Sequence, residues 1–423
     1  MDFRTFIEKL KKQGKIVDGG KLSLDLELAK FIDKNEPNPV ISEVRESGFK
    51  IVSNVYTTKE IVADFLNVNV NDLTQKMLYA IENRSKPESV AKDKAPVMQN
   101  EITEVDLEKM PIPLHLKEDG GRYFTSAVVF AKDPEFGQNS SYHRMMVIGK
   151  DKVVARILPR NLNTFIENAD KRGEELDIAF AVGLPASVAL ASSTSVEAGV
   201  DELEIANSLS PFNTVTLENG IEVPADAEFV YVGKVTKEEI DEGPFLDLTG
   251  TYDIVRKQRV IKIEKIYHRD NALHHVLLPG GAEHKILMGL PREPTMFREV
   301  KKTVDCVDVN LTKGGCSWLH GVVSIRKQNE DDGFKAIEAA FNGHKSMKHV
   351  VIVDEDIDVN NPEEVEWALA TRVQTDKNFY VFPDQKGSSL DPSADSITRK
   401  TAKAGIDATM PLKDKEKFKK IEY

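Results

Sequence analysis

Cysteine is scarce. Cys306 and Cys316 are the only two in 423 residues. Two cysteines cannot build a disulfide framework, no CxxC spacing exists, and a reducing compartment is the simplest reading. An excess of basic charge is also missing. Lys and Arg number 57 against 69 Asp and Glu, a net charge of −12. Such a chain has no footprint for nucleic acid or for an anionic membrane surface. It also sets a condition, because an anionic substrate would need a local cluster of cations. Long apolar runs are absent too. The longest, Ile178 to Ala191, is broken by Gly183 and Pro185 and falls short of the ~20 residues that span a bilayer. The N-terminal MDFRTFIEKLKKQGKIV interleaves charged with apolar residues, so it lacks the apolar core of a signal peptide. These absences predict a soluble, cytoplasmic protein. No HExxH, EF-hand, GxSxG, Walker A or GxGxxG pattern occurs. That argues against a zincin, an α/β-hydrolase, a P-loop enzyme and a simple nicotinamide dehydrogenase.

What is present suits a packed, multi-part chain. Hydrophobic residues make up 40% and charged residues 30%, enough for a core and too apolar for long disorder. Phe3 to Gln13 reads as a helix with Phe3, Phe6, Ile7 and Leu10 on one face. Thr58 to Phe65 reads as another, with Thr57 as its N-cap. Asn83 to Gln99, polar and carrying Pro87 and Pro96, reads as a linker or exposed loop. From Tyr123 onward the pattern turns to hairpins: FTSAVVFA, a DPEFGQ turn, HRMMVIG, and VVARIL. A helix over Leu162–Lys171, a strand over Asp177–Val182 and a helix over Val196–Leu209 follow. Strands return at Glu228–Val235 and Arg259–His268. In the last part, SWLHGVVSIRKQ, Gly333–Asn342, HVVIVDEDIDV, Pro362–Val373 and Asn378–Phe382 alternate strand and helix, which predicts βαβ units and a parallel sheet. The expected class is mixed α/β, divided as an α/β region over 1–105, a β-rich barrel-like part over 106–310 and a small α/β domain over 311–423.

Three constellations in the middle part carry chemistry. NSSYHRMMVIG holds Asn139, Tyr142, His143 and Arg144 where a turn enters a strand. A cation beside small polar residues and free N–H groups suits a phosphate or carboxylate, although the same segment taken alone reads first as a surface hairpin with an ion pair. VARILPRNLNTF places Arg156 on an otherwise apolar strand. A buried Arg needs a partner, either a ligand anion or an internal carboxylate. DEGPFLDLTGTYD brings Glu242 and Asp247 near each other across a Gly-Pro-Phe turn, as general acid–base work requires. The adjacent His274 and His275 face opposite ways on a strand and cannot share a metal. Cys316, in GGCSW, reads as a structural thiol.

Taken in this order, together with ELEIANSL after Val200-Asp201, VPADAEFV, EGPFLDLTG and KAGIDAT, these segments resemble the UbiD family of decarboxylases over most of the chain, from about Phe3 to Met410. The resemblance implies a split β-barrel flavin-binding domain between an N-terminal α/β region and a C-terminal α/β oligomerisation domain. It implies prenylated FMN as cofactor, supplied by a flavin prenyltransferase, with Mn²⁺ or another divalent ion and K⁺ at its phosphate. By the same resemblance, Asn139 and Glu202 are the metal ligands. Tyr142, His143, Arg144, Arg156, Ile157, Leu158, Asn161, Leu162 and Lys403 are cofactor contacts, and Arg144, Glu242 and Asp247 are the catalytic trio. Asp247 would protonate the carbon that loses CO₂. Some members carry Glu where Asp247 stands, and several place a His, as metal ligand or neighbour, near the position of Arg160, a departure that leaves a third protein metal ligand unassigned here and adds a cation where a second anionic group could sit. LPRNLNTF and EGPFLDLTGTYD resemble the archaeal branch that decarboxylates trans-anhydromevalonate 5-phosphate to isopentenyl phosphate. The alternatives are an aromatic decarboxylase of the polyprenyl-hydroxybenzoate type and a non-catalytic flavin-binding subunit. A homo-oligomer acting on a phosphorylated carboxylic acid, with no nucleic-acid or membrane partner, completes the expectation.

Overall fold

The computed structural model describes residues 1–418 and residue 421. Two compact units divide the chain, Met1–Leu287 and Met288–Tyr423. In the first, an N-terminal sheet pairs Val17–Leu22, Val40–Val44, Lys50–Ser53 and Leu273–His275 in that order. The helix Phe3–Lys12 has Phe3, Phe6, Ile7 and Leu10 all buried, as its i, i+3, i+4, i+7 spacing predicts. The helix expected over Thr58–Phe65 covers Lys59–Leu66, and its N-cap is Thr58, whose hydroxyl accepts from the Ile61 N–H at 3.3 Å. The expected cap, Thr57, instead donates to the Pro37 carbonyl at 2.6 Å. Adjacent threonines both suit a cap by type, and tertiary contact decides between them.

The frame of the unit is a nine-stranded sheet. Its spatial order is Tyr123–Phe124, Met145–Val147, Lys152–Ala155, Arg256–His268, Phe229–Glu242, Leu176–Val182, Val128–Asp133 and Gly137–Tyr142, with Asn100–Ile102 pairing to Arg256–His268. Leu176–Val182 runs between two partners and is buried on both faces, so it reads as a continuous apolar run rather than an alternation. Phe180 stacks on Tyr231 of the next strand with ring centroids 4.6 Å apart. The two longest strands, Phe229–Glu242 and Arg256–His268, pair to their far ends, where Glu242 lies opposite Arg256.

Three expectations are corrected here. The hairpin partner of Val128–Asp133 is Gly137–Tyr142, and the strand is broken at His143–Arg144 before Met145–Val147. The strand read over HRMMVIG is therefore shorter, Met145–Val147, and a separate strand precedes it. The polar residues Gln138 to Tyr142 hid the preceding one, because it pairs along one edge only. The helix read over Val196–Leu209 begins at Glu202, where Asp201 caps it by accepting from the Leu203 N–H at 2.9 Å. Gly199, with φ +89°, ends any helical path through the preceding residues. A helix over Ala186–Ser193 was not foreseen. Ala186 through Ser192 are all buried, so the segment has no polar face and no helical period. Of the stretch read as a linker, Glu88–Ser89 forms a short strand parallel to Asn213–Thr216.

The second unit holds a five-stranded sheet ordered Asp305–Leu311, His320–Arg326, His349–Asp354, Lys400–Asp407 and Phe379–Lys386. The three inner strands are parallel, as predicted, whereas both edge strands pair antiparallel. The sheet therefore reaches back to Asp305. Cys306 is buried, and burial pushes its thiol up to about 12, so it is inert at neutral pH. Among the described residues, no helix is long and apolar enough to cross a membrane.

Candidate active site

Arg144 follows the strand Gly137–Tyr142, at the break in the chain. Its guanidinium is nearly enclosed and faces three carboxylates. Nε donates to Glu242 Oε1 at 2.9 Å and Nη2 to Oε2 at 3.0 Å, a two-point fork. Nη1 donates to Asp247 Oδ2 at 2.9 Å, and Nη2 also reaches Asp253 Oδ2 at 3.0 Å. The guanidinium carbon lies 4.9 Å from the Phe245 ring centroid. Glu242 is fully buried at the last position of its strand, and Oε1 also accepts from the Tyr123 hydroxyl at 3.1 Å. Burial, with the Glu242 charge beside it, holds the Tyr123 phenol well above its ordinary range.

Asp247 lies on a small hairpin, where Phe245 pairs with Asp253 and Leu246 with Tyr252. The turn is closed by Asp247 N–H to Thr251 O at 3.0 Å and Gly250 N–H to Asp247 O at 2.9 Å. Asp247 Oδ1 accepts from the Leu248 N–H at 2.6 Å, and Leu248 is fully buried. Gly120 seats the hairpin from the other side, its N–H donating to the Pro244 carbonyl at 2.8 Å. A Cβ at Gly120 would lie 2.4 Å from the Gly243 carbonyl oxygen, so only glycine allows this approach.

A second cluster lies on the edge strand Gly137–Tyr142. Asn139, opposite Ala131, donates from Nδ2 to Glu202 Oε1 at 2.6 Å, and the Ser140 N–H donates to Glu202 Oε2 at 2.7 Å. The Ser140 and Ser192 hydroxyls are 3.0 Å apart. Burial pushes the Glu202 carboxyl well above the usual carboxylate range, against the Ser140 N–H. Among the described residues no Lys or Arg pairs with it, and no group of three or more His, Cys, Asp or Glu could hold a metal. A buried carboxylate with neutral hydrogen-bond partners beside an amide side chain is a hard-oxygen donor pair suited to a cation. A divalent ion that takes its remaining ligands from a phosphate and water fits it.

His143 links the clusters. Its Nδ1 meets the Arg156 carbonyl at 2.9 Å and its Nε2 the Ser141 hydroxyl at 3.0 Å. A carbonyl only accepts, so Nδ1 carries the proton and Nε2 accepts from Ser141. Burial, with Arg160 and Arg156 adding to it, drives the imidazole down to about 4, and it is neutral at pH 7. Arg156 bends its Nε toward Asp253 at 3.3 Å, while burial and the charge of Arg256 lower it. Arg160 caps the helix Asn161–Arg172 with its backbone, and its guanidinium makes one long contact, 3.5 Å to the Ser195 hydroxyl.

The sequence-predicted residues thus fall into groups. Arg144, Glu242 and Asp247 meet directly, as do Asn139 and Glu202, with Tyr142 and His143 between the two sets in the chain. Ile157 and Leu162 are buried in the main core, Leu158 is half-buried, and Asn161 opens its helix. Lys403 belongs to the second unit, where its ammonium donates to the Lys345 carbonyl at 2.6 Å. Sequence reasoning missed Asp253, Arg256, Tyr123 and His284. Gly280 N–H donates to His284 Nδ1 at 3.1 Å, which leaves the proton on Nε2. Burial holds this imidazole below its ordinary range, while nearby Asp247 pulls the other way. His284 lies outside all three constellations. Asp253 lay inside one, but its place opposite Phe245 depends on the hairpin register.

Residues 88–282 match the 3-octaprenyl-4-hydroxybenzoate carboxy-lyase Rift-related domain, and residues 285–408 match the C-terminal domain of the same carboxy-lyase. The anhydromevalonate phosphate decarboxylase of Methanothermobacter thermautotrophicus is 42% identical over 99% of both chains. That of Methanocaldococcus jannaschii is 42% identical over 93% of this chain and 94% of its own. Among solved structures, the UbiD-class enzyme HmfF from Pelotomaculum thermopropionicum in complex with FMN aligns with a TM-score of 0.96 at 35% identity, covering 100% of this chain and 97% of its own. An evolved dimeric form of HmfF in complex with prFMN aligns at 0.92 and 34% identity, with the same coverage. With two family domains matched in sequence and the fold shared end to end, the chain belongs to the UbiD family of decarboxylases.

Proposed function

We propose that this protein is a prenylated-FMN-dependent carboxy-lyase that converts trans-anhydromevalonate 5-phosphate to isopentenyl phosphate and CO₂. The observation that carries the reading is the Arg144 fork on Glu242 beside Asp247. It occurs in a chain 42% identical, end to end, to a relative named for that reaction. The nine-stranded sheet is taken as the split-barrel flavin-binding domain, with an N-terminal α/β region before it and a C-terminal α/β oligomerisation domain after it. The protein works as a soluble, cytoplasmic homo-oligomer whose cofactor comes from a flavin prenyltransferase.

When bound, the prenylated flavin supplies a sink for the electrons that CO₂ leaves behind. Asn139 and Glu202 would hold a divalent ion such as Mn²⁺, with K⁺ alongside, against the flavin phosphate. Tyr142, His143, Arg144, Arg156, Ile157, Leu158, Asn161 and Leu162 would line the cofactor. Arginine has five N–H groups, and the four contacts to Glu242, Asp247 and Asp253 use four of them. The remaining Nη1 hydrogen is available for the substrate carboxylate. Tyr123 and Glu242 keep Arg144 in place. Asp247 delivers a proton to the carbon that has lost CO₂, so that RCO₂⁻ and H⁺ become RH and CO₂. Arg160 is the cation assigned to the substrate phosphate, as a chain of net charge −12 requires, since neutral His143 spends its one ring N–H on the Arg156 carbonyl.

The test is mass spectrometry of the small molecules released from protein produced anaerobically beside a flavin prenyltransferase, for the wild type and for Asp247→Asn. Prenylated FMN is expected from both. Turnover of the enoate is expected to fall on the order of 10²- to 10⁴-fold in the variant, the range of a lost general acid. Well-folded wild type releasing only FMN, or nothing, would favour a non-catalytic flavin-binding subunit.

A further inference from the structure

Asp253 has no part in the catalytic trio, yet it has more charged partners than any member of it except Arg144. Its Oδ2 accepts from Arg144 Nη2 at 3.0 Å, Arg156 Nε at 3.3 Å and Arg256 Nη1 at 3.0 Å. Its Oδ1 accepts from Arg256 Nη2 and from the Ile254 N–H, both at 2.9 Å. The carboxylate is largely enclosed, at 12% side-chain exposure. Burial alone would raise it, but the three guanidiniums together hold it below the usual range. The arginines come from three places. Arg144 lies at the break between two strands, Arg156 directly after Lys152–Ala155, and Arg256 at the first position of the long strand opposite Glu242. Asp253 itself is on the hairpin that carries Asp247, paired with Phe245.

Two consequences follow from this placement. Buried Phe245 and Leu248 anchor the first strand and turn of the hairpin, but its return strand has no such anchor. Tyr252, Ile254 and Val255 on either side of Asp253 are exposed, so the arginine grip is what fastens its return strand. The charges also balance: Glu242, Asp247 and Asp253 are matched by Arg144, Arg156 and Arg256.

Resting on the function proposed above, we infer that Asp253 is a positioning residue for the decarboxylation. It fixes the plane of the Arg144 guanidinium, pins the hairpin that presents Asp247, and takes up a share of the Arg144 charge that would otherwise fall on Glu242 and Asp247. Its class of action is electrostatic, exerted through Arg144, with no contact of its own to substrate. The charged and titratable groups around the shared cluster are few. Asp253 faces Arg144, Arg156 and Arg256. Asp247 faces Arg144 and His284. Glu242 faces Arg144 and Tyr123, and Asp119 is within reach of Arg144.

The experiment compares wild type, Asp253→Asn and Asp253→Glu as holoenzymes, with the flavin content of each measured by mass spectrometry. Hydrogen exchange over residues 245–253 is measured in parallel and needs no substrate. For Asp253→Asn the proposal expects retained flavin, faster exchange across the hairpin, and a kcat lower by on the order of 10- to 100-fold. It also expects a smaller change in KM and a basic limb of the kcat–pH profile moved to lower pH, because the Arg144 charge then weighs more on the remaining carboxylates. Asp253→Glu should restore the pH profile in part. Unchanged exchange together with an unchanged profile would overturn the proposal. So would a lower kcat with the profile unmoved, which marks a merely structural residue. If the wild type fails to turn over the enoate while the hairpin still loosens in Asp253→Asn, the function proposed above fails and the positioning of the hairpin stands.

Discussion

At the residue scale the site is governed by where charge is buried and what neutralises it. Arg144 is held by three acids at once, so it is a fixed fork rather than a mobile surface cation. Glu202 is the opposite case, a buried carboxylate partnered by an amide and a backbone N–H. A metal must displace the proton that burial favours there. Divalent-ion uptake is therefore expected to weaken as pH falls, beginning above the ordinary carboxylate range, because the folded Glu202 takes up its proton early. Glu202→Gln should abolish uptake while leaving the fold intact. Elemental analysis of purified protein across pH 5 to 8 reads both, and pH-independent uptake or a metal-replete variant would contradict the assignment.

At the element scale, the hairpin over Phe245–Asp253 is the part on which geometry depends. Its seat is the Gly120–Pro244 contact, and there is no room for a Cβ against the Gly243 carbonyl. Gly120→Ala should displace the hairpin and lower kcat by on the order of 10²-fold, with a far-UV spectrum like that of the wild type. Wild-type activity in that variant would show that the hairpin tolerates the shift. The same scale shows what the sequence could convey. The apolar stripe of Phe3–Lys12 and the alternation in the hairpins carry their own period, so these elements were legible. Glu242, Asp247 and Arg144 were legible as types in a turn context, and the structure brings them together. The all-buried Ala186–Ser193 helix has no period to read. The polar strand Gly137–Tyr142 is marked by pairing alone. Asp253 and His284 enter the site through a register and a loop path, and neither of these is written in local spacing.

At the scale of the whole molecule, acid sensitivity should follow from histidines locked in the core of the first unit. His274 is 1% exposed and packs against Phe124 and Phe229 with centroids 5.8 and 5.3 Å away. Burial drives it down to about 3, and His115 likewise to about 3. The unfolded chain protonates these rings near pH 6.5 and the folded chain does not. Their contribution is thus fully present above about pH 6.5 and is lost as pH falls toward the folded values. Each ring should add a slope of about 1 kcal/mol per pH unit between pH 6 and 4.5. Urea unfolding of the wild type and of His274→Phe over that range should show the variant flatter by that amount, and equal slopes would contradict the burial argument.

The decisive measurement for the account as a whole is turnover by the purified, metal-loaded holoenzyme offered trans-anhydromevalonate 5-phosphate and, separately, a 4-hydroxybenzoate-type aromatic acid. Isopentenyl phosphate and CO₂ are expected in equal amounts from the first, and no CO₂ from the second. No turnover of the phosphorylated enoate, with release of CO₂ from the aromatic acid, would contradict it.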